Sequence, residues 1–314
     1  MSQTLPRRAA LALAALLVAL PAWAHRGGAP GGLRWTFDAW VTVPLVLSLA
    51  WFLLGHRTLR ARSRQPRARR TSLAWFVTGW TVLAAALVTP LHAAGERSFA
   101  AHMLEHELLM LVAAPLLVMA RPVGVALWAL PRTARASLVA LGRSRIVGAL
   151  WRGSTAPLFA TLAQAVVLWG WHAPAAFDLA LASPGWHIAQ HACFLASALL
   201  FWWAMLQGRG RYRTGLAVAC LFFTSLVSGA LGALMAFSSG PWYAGYARLG
   251  LDAFGLSAIE DQQLAGLLMW VPGGLIHAAV GVALLARVLR LDQSRGRPAQ
   301  ARITTGPPFS SARW

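Results

Sequence analysis

The chain has 314 residues, of which 58% are hydrophobic and 12% charged, and its mean hydropathy is +0.56. A soluble domain carries about 45–50% apolar and about 25% charged residues, so this composition excludes a soluble globular protein and points to an all-α, polytopic membrane protein. The net charge is +19, but the basic residues are all arginines in short loops between apolar runs, which excludes nucleic acid as a partner and leaves the lipid bilayer.

Residues 1–24 read as a cleavable signal peptide: Arg7 and Arg8, an apolar core over 9–20, then Ala22-Trp23-Ala24 as the cleavage site. Cleavage leaves His25 at the head of an outer segment, 25–37, rich in glycine and proline. Its amine and imidazole could together chelate copper. Seven spans then fit a transmembrane domain at 38–290, at about 38–55, 72–91, 102–120, 157–171, 187–206, 215–237 and 262–285. The loop after the first span holds Arg57, Arg60, Arg62, Arg64, Arg67, Arg69 and Arg70. The loop 121–153 holds Arg132, Arg135, Arg143, Arg145 and Arg152, and a short interfacial helix is expected there, anchored by Trp128 and Trp151. Arg209, Arg211 and Arg213 follow the fifth span. The alternate loops, 171–186 and 238–261, carry no arginine and one arginine. This asymmetry predicts the N-terminus outside, the C-terminus inside and a disordered cytoplasmic tail at 291–314.

The chemistry lies in the histidines. His102 and His106 open the third apolar run, and His187 and His191 open the fifth. Residues four apart share one helix face, roughly 6 Å from each other, so each pair offers two imidazoles to one metal ion. Both pairs fall at the outer ends of their spans, with His92 and His172 near the same surface, whereas His56 is on the inner side and His277 is deep in the last span. Ionisable side chains inside a membrane are expensive and mark function by default. The alternative is a hydrogen-bonded network that only holds helices together. His102-x-x-Glu105-His106 also matches the inverted zinc-protease pattern, with Glu107 or Asp178 as a third ligand, but the second pair lacks the glutamate. Asp261 precedes the last span, where a carboxylate suits a helix N-terminus. Cys193 and Cys220 lie in separate apolar runs and form no redox motif.

Several blocks resemble one family. They are His102-Met103-Leu104-Glu105-His106 with Ala114-Pro115 and Arg121-Pro122; Trp171-His172-Ala173-Pro174 with Phe177-Asp178; and His187 and Gln190-His191 with Phe201-Trp202. Asp261-Gln262-Gln263 with Met269-Trp270-Val271-Pro272-Gly273 completes the set. Over residues 35–290 the chain resembles the seven-span CtaG type of cytochrome c oxidase assembly factor, a family distinct from the single-span copper chaperone that shares its name. The resemblance implies a non-enzymatic protein of the bacterial inner membrane that matures a haem–copper oxidase, with oxidase subunits as partners and copper as transient cargo. The positions that match are His102, His106, His172, His187 and His191, which are therefore the expected metal ligands. Two other readings stand beside it: a haem-binding membrane cytochrome and a metal-free assembly scaffold.

Overall fold

The structure is a computed structural model describing the backbone of residues 34–62, 65–208 and 210–300 and the side chains up to 290. The expected signal segment and His25 lie outside the described residues. Among the described residues the seven main helices are α1 (Ala39–Arg60), α2 (Pro66–Val88), α3 (Phe99–Ala120), α4 (Pro157–His172), α5 (Pro184–Leu206), α6 (Arg211–Ala236) and α7 (Ala258–Arg290). All but α4 are long and apolar enough to cross a membrane. Helix α4 makes a seventh span when joined to Pro174–Ala182, which follows at a 70° bend. The fold is all-α, with no strand among the described residues, as the composition predicts.

Most helices begin a few residues before the expected positions, because the starts are set by caps and prolines rather than by the first apolar residue. Proline opens α2, α4, α5 and the helix Pro174–Ala182, where its missing N–H costs nothing and its fixed φ suits the first turn. Ser98 caps α3, its hydroxyl accepting from the Ala101 N–H at 3.2 Å. The region 171–186 is not the plain loop expected. Pro174 cannot continue the α4 ladder and holds Ala173 extended (ψ 131°), so the chain turns and forms a second helix. The loop 121–153 holds two amphipathic helices, Arg132–Arg143 and Arg145–Ser154, instead of the one expected, each with exposed leucine or isoleucine. At the C-terminal end the backbone stays helical to Gln300, so the expected tail at 291–314 begins inside this helix.

Helix α3 is the centre of the bundle: 61% of its apolar window is buried inside the protein, against 22% for α1. A π-helical turn at Leu108–Ala113 interrupts it, and the Trp202 indole N–H of α5 donates to the Met110 carbonyl there at 2.8 Å. Such turns recur at functional sites. Helices α6 and α7 meet through glycine. A Cβ on Gly266 would sit 2.4 Å from the Gly232 carbonyl oxygen, so only small residues allow this close approach.

Candidate metal centre

Helices α3 and α5 each begin at the same end of the bundle, so their first turns face one another. His102 and His106 lie one turn apart with their Nε2 atoms 3.0 Å apart. His187 and His191 repeat this on α5, again at 3.0 Å. The two pairs meet where His106 Nε2 lies 3.3 Å from His191 Nε2. Ligand nitrogens of His102, His106 and His191, all three buried, lie within 4.8 Å of one another. Nitrogens about 2.0 Å from a shared tetrahedral ion stand about 3.3 Å from each other, so the spacing suits a common metal. The rings are walled by Phe177, 5.2 Å from His102, and Phe194, 4.6 Å from His106.

His172, the fifth expected ligand, is beside the cluster and faces elsewhere. Its Nδ1–H donates to the Leu168 carbonyl at 2.7 Å, and its Nε2 is turned to Met103 Sδ at 3.4 Å. Its ring centre is 6.4 Å from that of His106. Two further histidines stand apart from the cluster: His56 stacks near Phe52, and His277 stacks on Trp202.

Sequence reasoning missed the groups behind the imidazoles. Tyr246, from the loop before α7, donates its hydroxyl to the Gly95 carbonyl at 2.6 Å and lies 3.1 Å from His102 Nδ1. Burial, then the charges of Asp261 and Glu105, hold its phenol well above the ordinary range, so it stays protonated. With that proton given to Gly95, the oxygen accepts from His102 Nδ1–H, and His102 Nε2 is left with its lone pair toward the cluster. Metal-bound histidines are commonly fixed this way. Tyr246→Phe removes the acceptor, and affinity for a metal at the cluster should fall by about 10–100-fold, measured by competition titration on folded protein.

Glu105 is fully buried and also stands behind the rings. Its Oε1 accepts from His92 Nδ1 at 2.8 Å and lies 3.5 Å from His191 Nδ1. His92 sits on the short helix Pro90–Gly95 with its ring 5.3 Å from that of His187. Burial lowers its pKa, but the hydrogen bond and charge of Glu105 outweigh that and hold it above the usual value. Glu105 therefore orients imidazoles from outside the ring of nitrogens, which is not where the base of a zinc protease would stand. The acidic residue Asp178 is likewise a support: it accepts from the backbone N–H groups of Ala244 and Gly245 at 3.2 and 3.0 Å and so holds the loop that carries Tyr246. The signal that could have exposed Glu105 is its ionisable side chain inside an apolar span.

A largely apolar cleft of about 1220 Å³ runs between α1, α2 and α5, past Trp51, Phe52 and Trp80, and ends on His92, His102, His187 and His191.

Residues 50–291 match the family model described as cytochrome c oxidase caa3 assembly factor (Caa3_CtaG). The chain belongs to this family. The match takes in α2 to α7 and every histidine of the cluster. No curated protein and no solved structure matches the chain. As a caa3 assembly factor with six or seven apolar helices of spanning length among its described residues, it is a multi-pass membrane protein that serves cytochrome c oxidase.

Proposed function

We propose that the protein assembles the oxidase by holding copper at His102, His106, His187 and His191 and releasing it to an oxidase subunit. The observation that carries this reading is a row of four Nε2 atoms from two helices, each 3.0–3.3 Å from the next, in which ligand nitrogens of His102, His106 and His191 lie within 4.8 Å of one another. His172 and Met103 stand one ring away as a second pair of donors, the thioether being a soft ligand suited to Cu(I). The arginine-rich ends of the helices belong on the cytoplasmic face, so the buried cluster lies at the periplasmic end of a protein of the bacterial inner membrane, the side on which copper and the client subunit are met. The apolar cleft gives a membrane segment of that subunit a route to the imidazoles. The protein turns over no substrate; copper is its cargo.

The haem reading fits the geometry less well. A haem needs its two imidazoles on opposite faces of a flat macrocycle, whereas these nitrogens point to one place and aromatic rings close in around them. The test is copper content and the absorption spectrum of the purified protein in detergent, after copper loading under reducing conditions. Tightly held copper without a Soret band is the expected result. Neither copper nor haem would leave a scaffold, and a Soret band would make it a cytochrome.

A further inference from the structure

Deeper in the bundle, Glu107, Gln164, Thr224 and His277 line one small cavity, and Glu107 Oε2, Gln164 Oε1 and Thr224 Oγ1 have no hydrogen-bond partner. Gln164, Thr224 and His277 are more than nine-tenths buried. Met110 and Met269 share the wall. The cavity measures about 30 Å³, room for one ion or about two waters. Unpaired polar atoms are costly in an apolar setting, and several of them around one void call for a polar occupant.

The cavity lies close below the histidines. His102, His106 and Met110 follow one another at four-residue intervals on α3. Gln164 Nε2 donates to Met110 Sδ at 3.7 Å. Glu107 Oε2 faces α7, where a Cβ on Gly273 would lie 3.7 Å from it, one turn before His277. Trp202 fixes both walls, stacking on His277 at 5.7 Å and donating to the Met110 carbonyl.

We propose that this cavity is a second cation site, which holds Cu(I) with Met110, Met269, His277 and Glu107 as its donors. The exposed donors are a carboxylate, an imidazole nitrogen, two thioethers, an amide oxygen and a hydroxyl, all able to offer lone pairs. One carboxylate is balanced by one positive charge, whereas a divalent ion would leave a net charge buried in the bundle. Two sulfurs and an imidazole favour a soft ion over sodium or potassium. The choice of copper rests on the reading of the histidine cluster; the convergence of donors does not.

The test loads full-length protein with Cu(I) anaerobically and counts the ions retained against a competing chelator. A variant with His102, His106, His187 and His191 all changed to Ala should keep one copper, with thioether sulfur among its neighbours by X-ray absorption. Met110→Leu with His277→Gln should lose one copper from the wild-type count and leave the cluster's share. The absorption measurement needs only the cluster variant, so poor folding of the cavity variant does not blunt it. A cluster variant that holds no copper, or copper with nitrogen and oxygen neighbours alone, overturns the second site. Copper held by the wild type and lost entirely in the cluster variant would overturn it while sparing the reading of the cluster. Copper that is unaffected by the cluster variant would do the reverse.

Discussion

Changing His102 and His106 together to Ala should remove the copper held at the cluster and abolish maturation of the dependent oxidase, while the protein stays in the membrane at its normal level. Losing a group behind a ligand typically weakens metal affinity by about 10–100-fold, and this change removes two of the three histidines whose ligand nitrogens lie within 4.8 Å of one another. His106 and His191 are the inner members of the row, and this change removes His106, which lies 3.0 Å from His102 and 3.3 Å from His191. The α5 pair should then be unable to hold the ion alone, and His187→Ala with His191→Ala should give the same phenotype. The measurements are copper per protein, oxidase activity in cells and the amount of protein by immunoblot. A purely structural role makes the opposite forecast: the amount of protein falls with the activity. Normal copper content in the double variant would sink the assignment of the ligands.

The seven apolar runs were legible because a span needs length and hydrophobicity, and both are local. The spacing of each histidine pair was legible for the same reason, since four residues on a helix return to one face. That the two pairs meet was not. Helices surrounded by lipid are apolar on every side, so their pattern does not say which neighbour a face will find. The meeting of α3 with α5 depends on the bundle as a whole. Pro174 was visible as a break, but a break reads equally as a loop or as a bend into another helix, and the structure takes the second course. Tyr246 sits in an aromatic, glycine-rich loop where a tyrosine ordinarily marks the membrane interface. Its contact with His102 spans 144 residues of sequence, a distance no motif bridges. Glu105 was in plain view inside the first pair, yet its neighbours suggested protease chemistry. Its distances to His92 and His191, which belong to other helices, put it behind the imidazoles.

Asp261→Ala should cost about 3–5 kcal/mol of stability and weaken metal binding, although Asp261 touches no histidine. The sequence places this carboxylate at the start of α7, where it would be expected to serve its own helix. Instead it reaches α3. One oxygen accepts from the Ser98 hydroxyl at 2.8 Å and the Ala100 N–H at 2.9 Å, and the other accepts from the Phe99 N–H at 2.5 Å. These are N–H groups that a helix leaves without partners at its first turn, and the negative charge also meets the positive end of the α3 dipole. Asp261 and Ser98 are both buried, so no water replaces the carboxylate when it is removed. Hydrogen bonds to a charged group are each worth about 1.5–3 kcal/mol, and a buried donor left unpaired adds its own penalty. His102 follows within the same turn, so fraying there moves the first ligand of the cluster and loosens its contact with Tyr246. Asp261→Asn keeps an acceptor oxygen but loses the charge, and its loss should be smaller. Thermal unfolding of the metal-free protein in detergent gives the stability. Copper titration well below the unfolding temperature gives the effect on the site. Wild-type stability in Asp261→Ala would mean that the α3 start is held by Ser98 alone, and that α7 does not position the histidines.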